Sequence, residues 1–347
     1  MKKSKDVYYK KFSHIYVEKS IADSPYVRDI LSPFETSEII SINHYKDVFN
    51  RPGQSFSAQK QAQALILAEN KGERVYKGAP FCQSFGNDEF YYTSFVLNCL
   101  YDCEYCYLRG MYPSGNVVVF TNINDYFKDV KRISENKEIF LCVSYDTDLL
   151  AFEKLLGLCG RWYDFAAENP NVKIELRTKC SDISFLEGKE PLDNFILAFT
   201  LSPKETAEKC EKFAPSLSSR LKAVKKAADL GFKVRLSFDP ILKTDNFEET
   251  YDEFIRDCFS CVSPDKIIDI GLGGFRISPK YLKAARKEYP SSLILNYPFE
   301  KKDGVCAYES KAEKYMTDYV AECIKKYAPG LNLYLWVWTN GSDYGII

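Results

Sequence analysis

Short apolar runs alternate with amphipathic segments along most of the chain after residue 88. The runs have the length and the β-branched or aromatic content of buried strands, and apolar residues recur at helical spacing between them. The predicted strands are Tyr91–Leu97, Val117–Phe120, Ile139–Ser144, Val172–Thr178, Phe195–Leu201, Val234–Phe238 and Ile267–Leu272. The helix candidates between them include Asp125–Ile133, Phe152–Ala167, Leu221–Leu230 and Phe247–Cys258, and Gly231 follows the third of these where a C-cap glycine belongs. Strands that alternate with helices predict a parallel α/β architecture.

The number of strand–helix units limits the choice of architecture. Six or so units are too few to close an eight-stranded barrel. We therefore predict an open, partial (β/α)6 barrel over residues 89–290. In closed barrels the chemistry lies at the carboxyl ends of the strands, so the loop after Tyr91–Leu97 is a candidate site.

Both ends of the chain are predicted to form smaller units. Residues 1–88 are predicted as a βαβ-like unit with a strand at His14–Val17, a helix at Pro25–Leu31 and a strand at Ile39–Ile42. Residues 291–347 are predicted as an extension packed on the barrel. It contains a loop-rich stretch, a helix at Lys311–Tyr327 and an apolar strand at Leu331–Trp338.

Composition narrows the class of protein. Hydrophobic residues make up 46% and charged residues 27% of the 347 residues, as in an ordinary globular protein. No apolar run reaches about 18 residues, so no membrane span is expected. The basic segment at residues 1–11 lacks the apolar core of a signal peptide. Twelve cysteines without export predict a reducing, cytoplasmic location.

The net charge bears on nucleic-acid binding. It is −1 at pH 7, whereas dedicated duplex-DNA binders are usually more basic because phosphate neutralisation carries much of their affinity. A local basic groove remains compatible with this value. The net charge therefore gives no support for a nucleic-acid partner, although it does not exclude one.

Three cysteines in one short run carry the strongest chemical information. Cys99, Cys103 and Cys106 have the spacing Cys-x3-Cys-x2-Cys, and no fourth cysteine follows nearby. A [4Fe–4S] cluster is normally held by four thiolates, so three thiolates leave one iron open to a ligand. A structural zinc site needs four ligands, usually in two pairs, and the only histidines, His14 and His44, lie far upstream. The spacing therefore favours a [4Fe–4S] cluster over zinc or a disulfide framework.

With Tyr105 just before the last cysteine, this segment resembles that of the radical S-adenosylmethionine (AdoMet) enzymes. The resemblance implies that the open iron binds AdoMet and that one electron cleaves it to a 5′-deoxyadenosyl radical, which abstracts hydrogen from the substrate. It also implies an electron donor such as flavodoxin or ferredoxin.

The chain as a whole resembles the spore photoproduct lyases, a radical AdoMet branch that reverses a thymine–thymine lesion in DNA. The likeness rests on the segment Cys106-Tyr107-Leu108, on Ile139–Glu153 and on Leu221–Leu242, which fall in family order. It makes DNA a candidate partner. The AdoMet contacts that it implies are Thr147, Asp148, Lys179 and Thr200.

Two segments depart from the family pattern. The position of the catalytic cysteine that returns hydrogen to the product is Tyr145 here. The segment Asn296–Tyr308 is shorter and less basic than the family's lesion-binding hairpin. The tyrosines at 105 and 107 match those implicated in the family's radical relay, and the phenol of Tyr145 is a candidate replacement for the thiol.

These departures leave three hypotheses open. The first is repair of a DNA photolesion, and the second is a diverged enzyme that acts on a small metabolite or a peptide, with Tyr145 in place of the catalytic cysteine. The third is a redox sensor that keeps the cluster without turnover. Retention of the implied AdoMet contacts argues against the sensor.

Overall fold

The structure, a computed structural model, describes residues 12–36, 39–78, 82–302 and 304–336 and the backbone of 344–346. The strands are β1 Ile15–Glu18, β2 Ile39–Ile42, β3 Leu65–Ala68, β4 Val75–Lys77, β5 Phe90–Thr93, β6 Val96–Leu97, β7 Asp102–Cys103, β8 Val117–Phe120, β9 Ile139–Cys142, β10 Val172–Thr178, β11 Phe195–Thr200, β12 Glu211–Lys212, β13 Lys233–Ile241, β14 Ile267–Gly274, β15 Arg276–Ile277, β16 Glu300–Lys302, β17 Val305–Ala307, β18 Leu333–Trp336 and β19 Tyr344–Ile346. The helices are α1 Pro25–Leu31, α2 Lys46–Phe49, α3 Phe56–Gln61, α4 Leu108–Met111, α5 Ile123–Ser134, α6 Glu153–Leu156, α7 Leu158–Glu168, α8 Lys204–Cys210, α9 Leu217–Asp229, α10 Phe247–Cys261, α11 Pro279–Glu288 and α12 Ser310–Tyr327.

A curled sheet of nine strands forms the larger part of the fold. Its order is β19-β18-β14-β13-β11-β10-β9-β5-β4. The pairs from β5 through β18 are parallel, and β4 and β19 pair antiparallel at the two edges. The prediction of an α/β partial barrel is confirmed. Six of the seven predicted strands contribute to this sheet, and the strand at 333–336 adds a seventh parallel strand.

Helix α9 shows why these segments are helical and how they cover the sheet. Its buried residues include Leu217, Leu221, Val224 and Ala228, which recur at steps of three or four and so share one face. Ser216 caps its first turn by accepting a hydrogen bond from the Ser219 amide at 3.3 Å. The chain leaves the helix at Gly231, whose φ of +86° confirms the predicted C-cap.

A second, five-stranded sheet has the order β2-β1-β3-β8-β6. Strands β1 and β2 are parallel and α1 connects them, which confirms the predicted βαβ arrangement. The prediction that Val117–Phe120 follows as a barrel strand is wrong, because β8 pairs with β3 in this sheet. An apolar run reports burial, but it does not report which sheet buries it.

The predicted strand Tyr91–Leu97 is also wrong as a single element. It divides into β5, which pairs with β9, and β6, which pairs antiparallel with β8. The break falls at Ser94, whose hydroxyl contacts the Asp146 carboxylate and whose carbonyl accepts a hydrogen bond from the Tyr126 hydroxyl at 3.1 Å. These side-chain contacts replace sheet hydrogen bonds and turn the chain from one sheet into the other.

The C-terminal part contains more regular structure than predicted. Helix α12 matches the predicted helix, and the predicted strand Leu331–Trp338 is observed at 333–336, with 337–338 outside the described residues. The stretch 296–308 contains β16 and β17, which form a small antiparallel sheet with β15 in the order β15-β17-β16. The division of the chain at residues 88 and 290 stays a prediction. In the described residues no helix is long and apolar enough to cross a bilayer.

The cysteine loop, residues 98–107, lies between β6 and β8 of the five-stranded sheet and contacts the barrel side of the fold through β12. Strand β7 within it pairs antiparallel with β12, so Cys103 lies opposite Glu211. The buried guanidinium of Arg109 contacts the carboxylate of Asp102, which also accepts a hydrogen bond from the Tyr289 hydroxyl at 3.2 Å. The loop is therefore held from both sides.

Close packing of α4 on α11 supplies a test of this arrangement. A Cβ atom at Gly110 would lie 2.2 Å from Cα of Tyr281, so Gly110→Ala must push the two helices apart. We expect a loss of about 1–3 kcal/mol or more in the free energy of unfolding and reduced iron content after reconstitution. The control is Gly330→Ala, where a Cβ meets nothing within 4 Å. Equal iron content and melting temperature in the two variants would contradict the arrangement.

Candidate active site

The three predicted cluster ligands are brought together by the folding of the cysteine loop. Cys99 follows β6, Cys103 lies in β7, and Cys106 precedes α4. All three line one small cavity. Cys103 is buried and the other two are half-buried.

The loop begins at a residue in the left-handed backbone region. Asn98 has φ +69° and is fully buried. Asparagine is among the few residue types that adopt this conformation readily. Its side-chain amide donates to the carbonyls of Ser114 at 2.6 Å and Asn116 at 2.7 Å. These bonds fix the direction in which Cys99 leaves the sheet.

A buried lysine supports the loop from below. The Lys60 ammonium donates to the carbonyls of Cys99 at 2.5 Å and Tyr101 at 2.9 Å, and Gln63 also donates to Cys99 at 3.1 Å. Burial lowers the pKa of Lys60, and the neighbouring thiols of Cys99 and Cys106 oppose that shift. Lys60 was missed by sequence reasoning because an isolated lysine on a short helix carries no chemical signal.

The donor set fits an iron–sulfur cluster better than a single metal ion. Within the described ranges, no three His, Cys, Asp or Glu side chains converge on a point where one ion would bind. A cubane does not require such convergence, because each thiolate binds a different iron. Burial raises the pKa of Cys99 to about 11, helped by Asp148 and opposed by Lys60. Cluster binding must therefore displace thiol protons, as in other thiolate metal sites.

A buried carboxylate joins the cysteine loop to the barrel. Glu211 accepts a hydrogen bond from the Ser202 hydroxyl at 2.8 Å and also contacts the Tyr105 hydroxyl and the Arg220 guanidinium. The Lys179 ammonium lies 3.9 Å away. Burial alone would raise the pKa of Glu211, but Lys179 and Arg220 outweigh it and lower the pKa. Tyr105 is therefore held in place by an ionised carboxylate.

The four predicted AdoMet contacts lie at the carboxyl ends of three adjacent strands. Thr147 and Asp148 follow β9, Lys179 follows β10, and Thr200 ends β11. Thr200 is buried, and its carbonyl accepts a hydrogen bond from Arg220 at 3.3 Å. The strand register places these ends at one rim of the barrel. Their binding roles stay predictions.

Their present contacts differ in kind. The Asp148 carboxylate accepts hydrogen bonds from the Thr178 hydroxyl at 2.7 Å and the Lys179 amide at 2.6 Å, which ties two strand ends together. In contrast, the Thr147 hydroxyl is buried without a hydrogen-bond partner. A buried unpaired hydroxyl is costly, so Thr147 is suited to a ligand that supplies the missing partner. Burial alone would lower the pKa of Lys179, but Glu211, together with Cys103 and Cys106, outweighs burial and raises the pKa.

The remaining predicted residues, Tyr107 and Tyr145, lie beside one another. The Tyr107 hydroxyl donates to the backbone carbonyl of Tyr145 at 2.8 Å. The Tyr145 ring stacks on Tyr92 with centroids 4.2 Å apart. Its hydroxyl lies 2.6 Å from Sγ of Cys82. Sequence reasoning missed Cys82, which lies in an irregular segment with no motif around it.

A second polar cluster lies at the ends of β13 and β14. The Arg276 guanidinium donates to both oxygens of Asp239, at 2.8 and 2.9 Å. One oxygen of Glu313 is buried nearby without a hydrogen-bond partner. A Cβ at Gly273 would lie 2.9 Å from Arg276 and one at Gly274 2.6 Å from Glu313. The two glycines thus allow charged side chains to pack directly against the sheet.

Comparison with known proteins identifies the family. The model of the family described as "Spore photoproduct lyase" matches residues 11–329, which is most of the chain. The protein belongs to the spore photoproduct lyase family. This family consists of radical AdoMet enzymes that use a [4Fe–4S] cluster and AdoMet. The three cysteines of the loop, Cys99, Cys103 and Cys106, agree with this chemistry and are called the cysteine tripod below.

Curated and solved members of the spore photoproduct lyase family are similar to this protein in sequence or structure over most of its length. Spore photoproduct lyase of Clostridium acetobutylicum is 23% identical over 297 residues, covering 82% of this chain and 84% of its own. That of Geobacillus sp. is 20% identical over 250 residues, covering 70% and 72%. A solved spore photoproduct lyase complexed with dinucleoside spore photoproduct has a TM-score of 0.80 at 16% identity, covering 94% of this chain and 99% of that one. The structural match confirms the fold.

The cysteine tripod supplies the first test of the site. Replacing Cys99, Cys103 or Cys106 by serine removes one thiolate, and we expect each variant to lose most of its bound iron and sulfide and its cubane absorbance. The matched control is Cys261→Ser, because Cys261 ends α10, outside the cysteine loop, and donates to the Leu221 carbonyl at 3.4 Å. A tripod variant with the iron content of the control would contradict the assignment.

Glu313 supplies a test based on pH. Burial raises its pKa from 4.5 to about 7, with Arg276 opposing and Asp239 adding to the shift. Because the folded state favours the protonated acid, this stabilisation is complete below the unfolded pKa and is lost as pH rises through about 7. We expect the wild type to lose about 2–3 kcal/mol between pH 5 and pH 8 relative to Glu313→Gln.

The measurement is the melting temperature of both proteins across that range, with Glu309→Gln as an exposed control on the same helix end. If the wild type and Glu313→Gln show parallel pH profiles, Glu313 does not titrate as described.

Proposed function

We propose that this protein repairs a thymine–thymine photolesion of the spore photoproduct type, with Cys82 and Tyr145 together replacing the family's single catalytic cysteine. The observation that carries the proposal is the 2.6 Å contact between Sγ of Cys82 and the Tyr145 hydroxyl. Position 145 lacks a thiol in the sequence, but the thiol of Cys82, from another segment, lies beside the Tyr145 hydroxyl. The family match and its named relatives supply the reaction class.

The cluster and AdoMet, when bound, supply the radical that abstracts hydrogen from the lesion. After the lesion is split, the product radical needs one hydrogen atom. The S–H bond of Cys82 breaks and a C–H bond forms on the product carbon. The sulfur then takes a hydrogen atom from the Tyr145 hydroxyl. The phenoxyl group is restored by one proton and one electron from a carrier of the flavodoxin or ferredoxin class.

The surroundings of Tyr145 suit this role. Burial, together with the nearby Cys82, raises the pKa of Tyr145 far above its ordinary value, so the hydroxyl keeps its hydrogen at neutral pH. The hydrogen bond from Tyr107 to the Tyr145 carbonyl and the stacking on Tyr92 restrict the phenol to one orientation. We assign Tyr107 to positioning this phenol and Tyr105 to the support of the cysteine loop.

The chain's polar groups at the rim are suited to AdoMet. The ammonium group of Lys179 can pair with the carboxylate of AdoMet, and the unpaired hydroxyl of Thr147 can form a hydrogen bond with the polar groups of AdoMet. Asp148 adds negative charge beside its cationic part, and Thr200 lies on the next strand end. We place the reaction in the reducing cytoplasm, because none of the twelve cysteines forms a disulfide.

A second candidate function is favoured by the C-terminal hairpin. Prying a base from a duplex costs a few kcal/mol, and the β16–β17 hairpin is short, with Lys301 and Lys302 as its exposed cations. A diverged enzyme for a small metabolite or a peptide would not need a wedge. Restored thymidylyl-thymidine from dinucleotide spore photoproduct, after anaerobic reconstitution with dithionite and AdoMet, separates the two. Release of 5′-deoxyadenosine without repair would reject the lyase function.

The donor pair makes a specific prediction. Cys82→Ala removes the hydrogen donor, and we expect at least a tenfold fall in repaired product per 5′-deoxyadenosine released. Tyr145→Phe keeps the thiol, so its first turnover should be near normal while later turnovers slow. In D2O, the exchangeable thiol should deliver deuterium to the product. Cys261→Ser serves as the control, and full repair by Cys82→Ala would reject the donor role.

A further inference from the structure

The segment that carries Cys82 has an unusual backbone. In the donor loop, residues 82–87, Phe85 has φ +51° and Gly86 has φ +74°. Glycine adopts this region freely, but a bulky aromatic residue there is a conformational outlier. Such strain persists only where the surroundings hold it, and it concentrates at functional sites.

Hydrogen bonds close the loop locally. The Gln83 side-chain oxygen accepts from the Phe85 amide at 3.0 Å. The Asn87 side-chain amide donates to the carbonyls of Ser84 at 2.7 Å and Phe85 at 3.1 Å. These bonds define the shape of the turn, but they do not attach it to the barrel.

The Phe85 ring attaches the loop to the barrel. It is 5% exposed, and its centroid lies 3.3 Å from the guanidinium carbon of Arg235, so the cation sits against the ring face. The ring also meets Phe140 and Tyr334 edge to face, with centroids 6.1 and 5.3 Å away. A Cβ at Gly271 of β14 would lie 3.0 Å from the ring, so the glycine leaves room for the ring to pack against this strand.

The guanidinium of Arg235 is itself immobilised. It donates to both Asp269 oxygens, at 2.5 and 2.7 Å, and to Glu175 at 2.6 Å. All three side chains are buried and come from adjacent or nearby barrel strands. Arg177 lies 3.0 Å from the other Glu175 oxygen, so the cluster contains two cations and two anions. A fixed, desolvated guanidinium is the strongest setting for a cation–π contact.

We propose that Phe85 and Arg235 are positioning residues: their stack fixes the donor loop on the barrel and thereby holds Sγ of Cys82 against the Tyr145 hydroxyl. This inference rests on the proposed role of Cys82 as hydrogen donor. Phe85 is three residues from Cys82, so a change in its anchorage moves the thiol directly. A leucine would fill similar space but would offer no ring face to the cation and would still bear the backbone strain.

The test compares Phe85→Leu with Phe85→Tyr, which keeps the ring face. The control is Phe90→Leu, because the Phe90 ring also packs on Phe140, with centroids 5.7 Å apart, in the same group of buried apolar side chains. In all three, cubane absorbance and melting temperature report folding. If Phe85→Leu does not fold, Phe85→Met takes its place.

Two readouts separate this inference from the proposed function. The first is repaired thymidylyl-thymidine per 5′-deoxyadenosine, with deuterium transfer from D2O. We expect Phe85→Leu to lower both at least fivefold, and Phe85→Tyr and Phe90→Leu to stay within twofold of wild type. An unchanged ratio in Phe85→Leu would overturn the inference while leaving the lyase function intact.

The second readout needs no repair activity. The rate of Cys82 alkylation by iodoacetamide, followed by mass spectrometry, reports how firmly the thiol is held. We expect a rise of at least fivefold in Phe85→Leu and none in the other two variants. If the wild type repairs nothing, the lyase function fails and this rate alone decides the positioning role, which an unchanged rate would refute.

Discussion

The site depends on the hydrogen bonds and the ion pair that the buried carboxylate of Glu211 forms. The cysteine loop leaves a sheet other than the barrel, and it must still present three thiols at the barrel rim. Glu211 lies opposite Cys103 in the β7–β12 pair and binds Tyr105, Ser202 and Arg220 at once. Removing it would strand the Arg220 cation in the interior, which is among the costliest defects in a folded protein.

The same solution recurs elsewhere in the barrel. Arg235 with Asp269 and Arg276 with Asp239 are doubly hydrogen-bonded pairs on parallel strands or just beyond them. Bidentate geometry fixes both partners, so each pair acts as a rigid platform. One carries the ring that anchors the donor loop, and the other packs on glycines beside Glu313. Rigid polar platforms allow a radical site to be built largely from loops.

Local patterns in the sequence predicted most of the fold. The parallel strands and the Gly231 cap depend on neighbouring residues, and both are observed. The cysteine spacing is equally local, and the structure gathers the three thiols around one small cavity, while their role as cluster ligands stays a prediction. The failures involve distant partners: Val117–Phe120 joined the other sheet, and the strand at 91–97 broke at Ser94 because of Asp146 and Tyr126. Cys82, Glu211 and Lys60 were missed for the same reason, since each acquires its role from a segment remote in sequence.

The position of the cysteine loop has a consequence for the separability of the two sheets. Strands β6 and β8, on either side of the loop, are neighbours in the five-stranded sheet, where β8 also pairs with β3. The three predicted cluster ligands therefore lie on a segment that leaves the five-stranded sheet, pairs with β12 beside the barrel and returns to the same sheet. A barrel made without its first 88 residues would retain every cysteine of the tripod but lose the frame that aims them. A gene that encoded only the barrel would therefore not pass on a working cysteine loop, so the two sheets form one evolutionary unit.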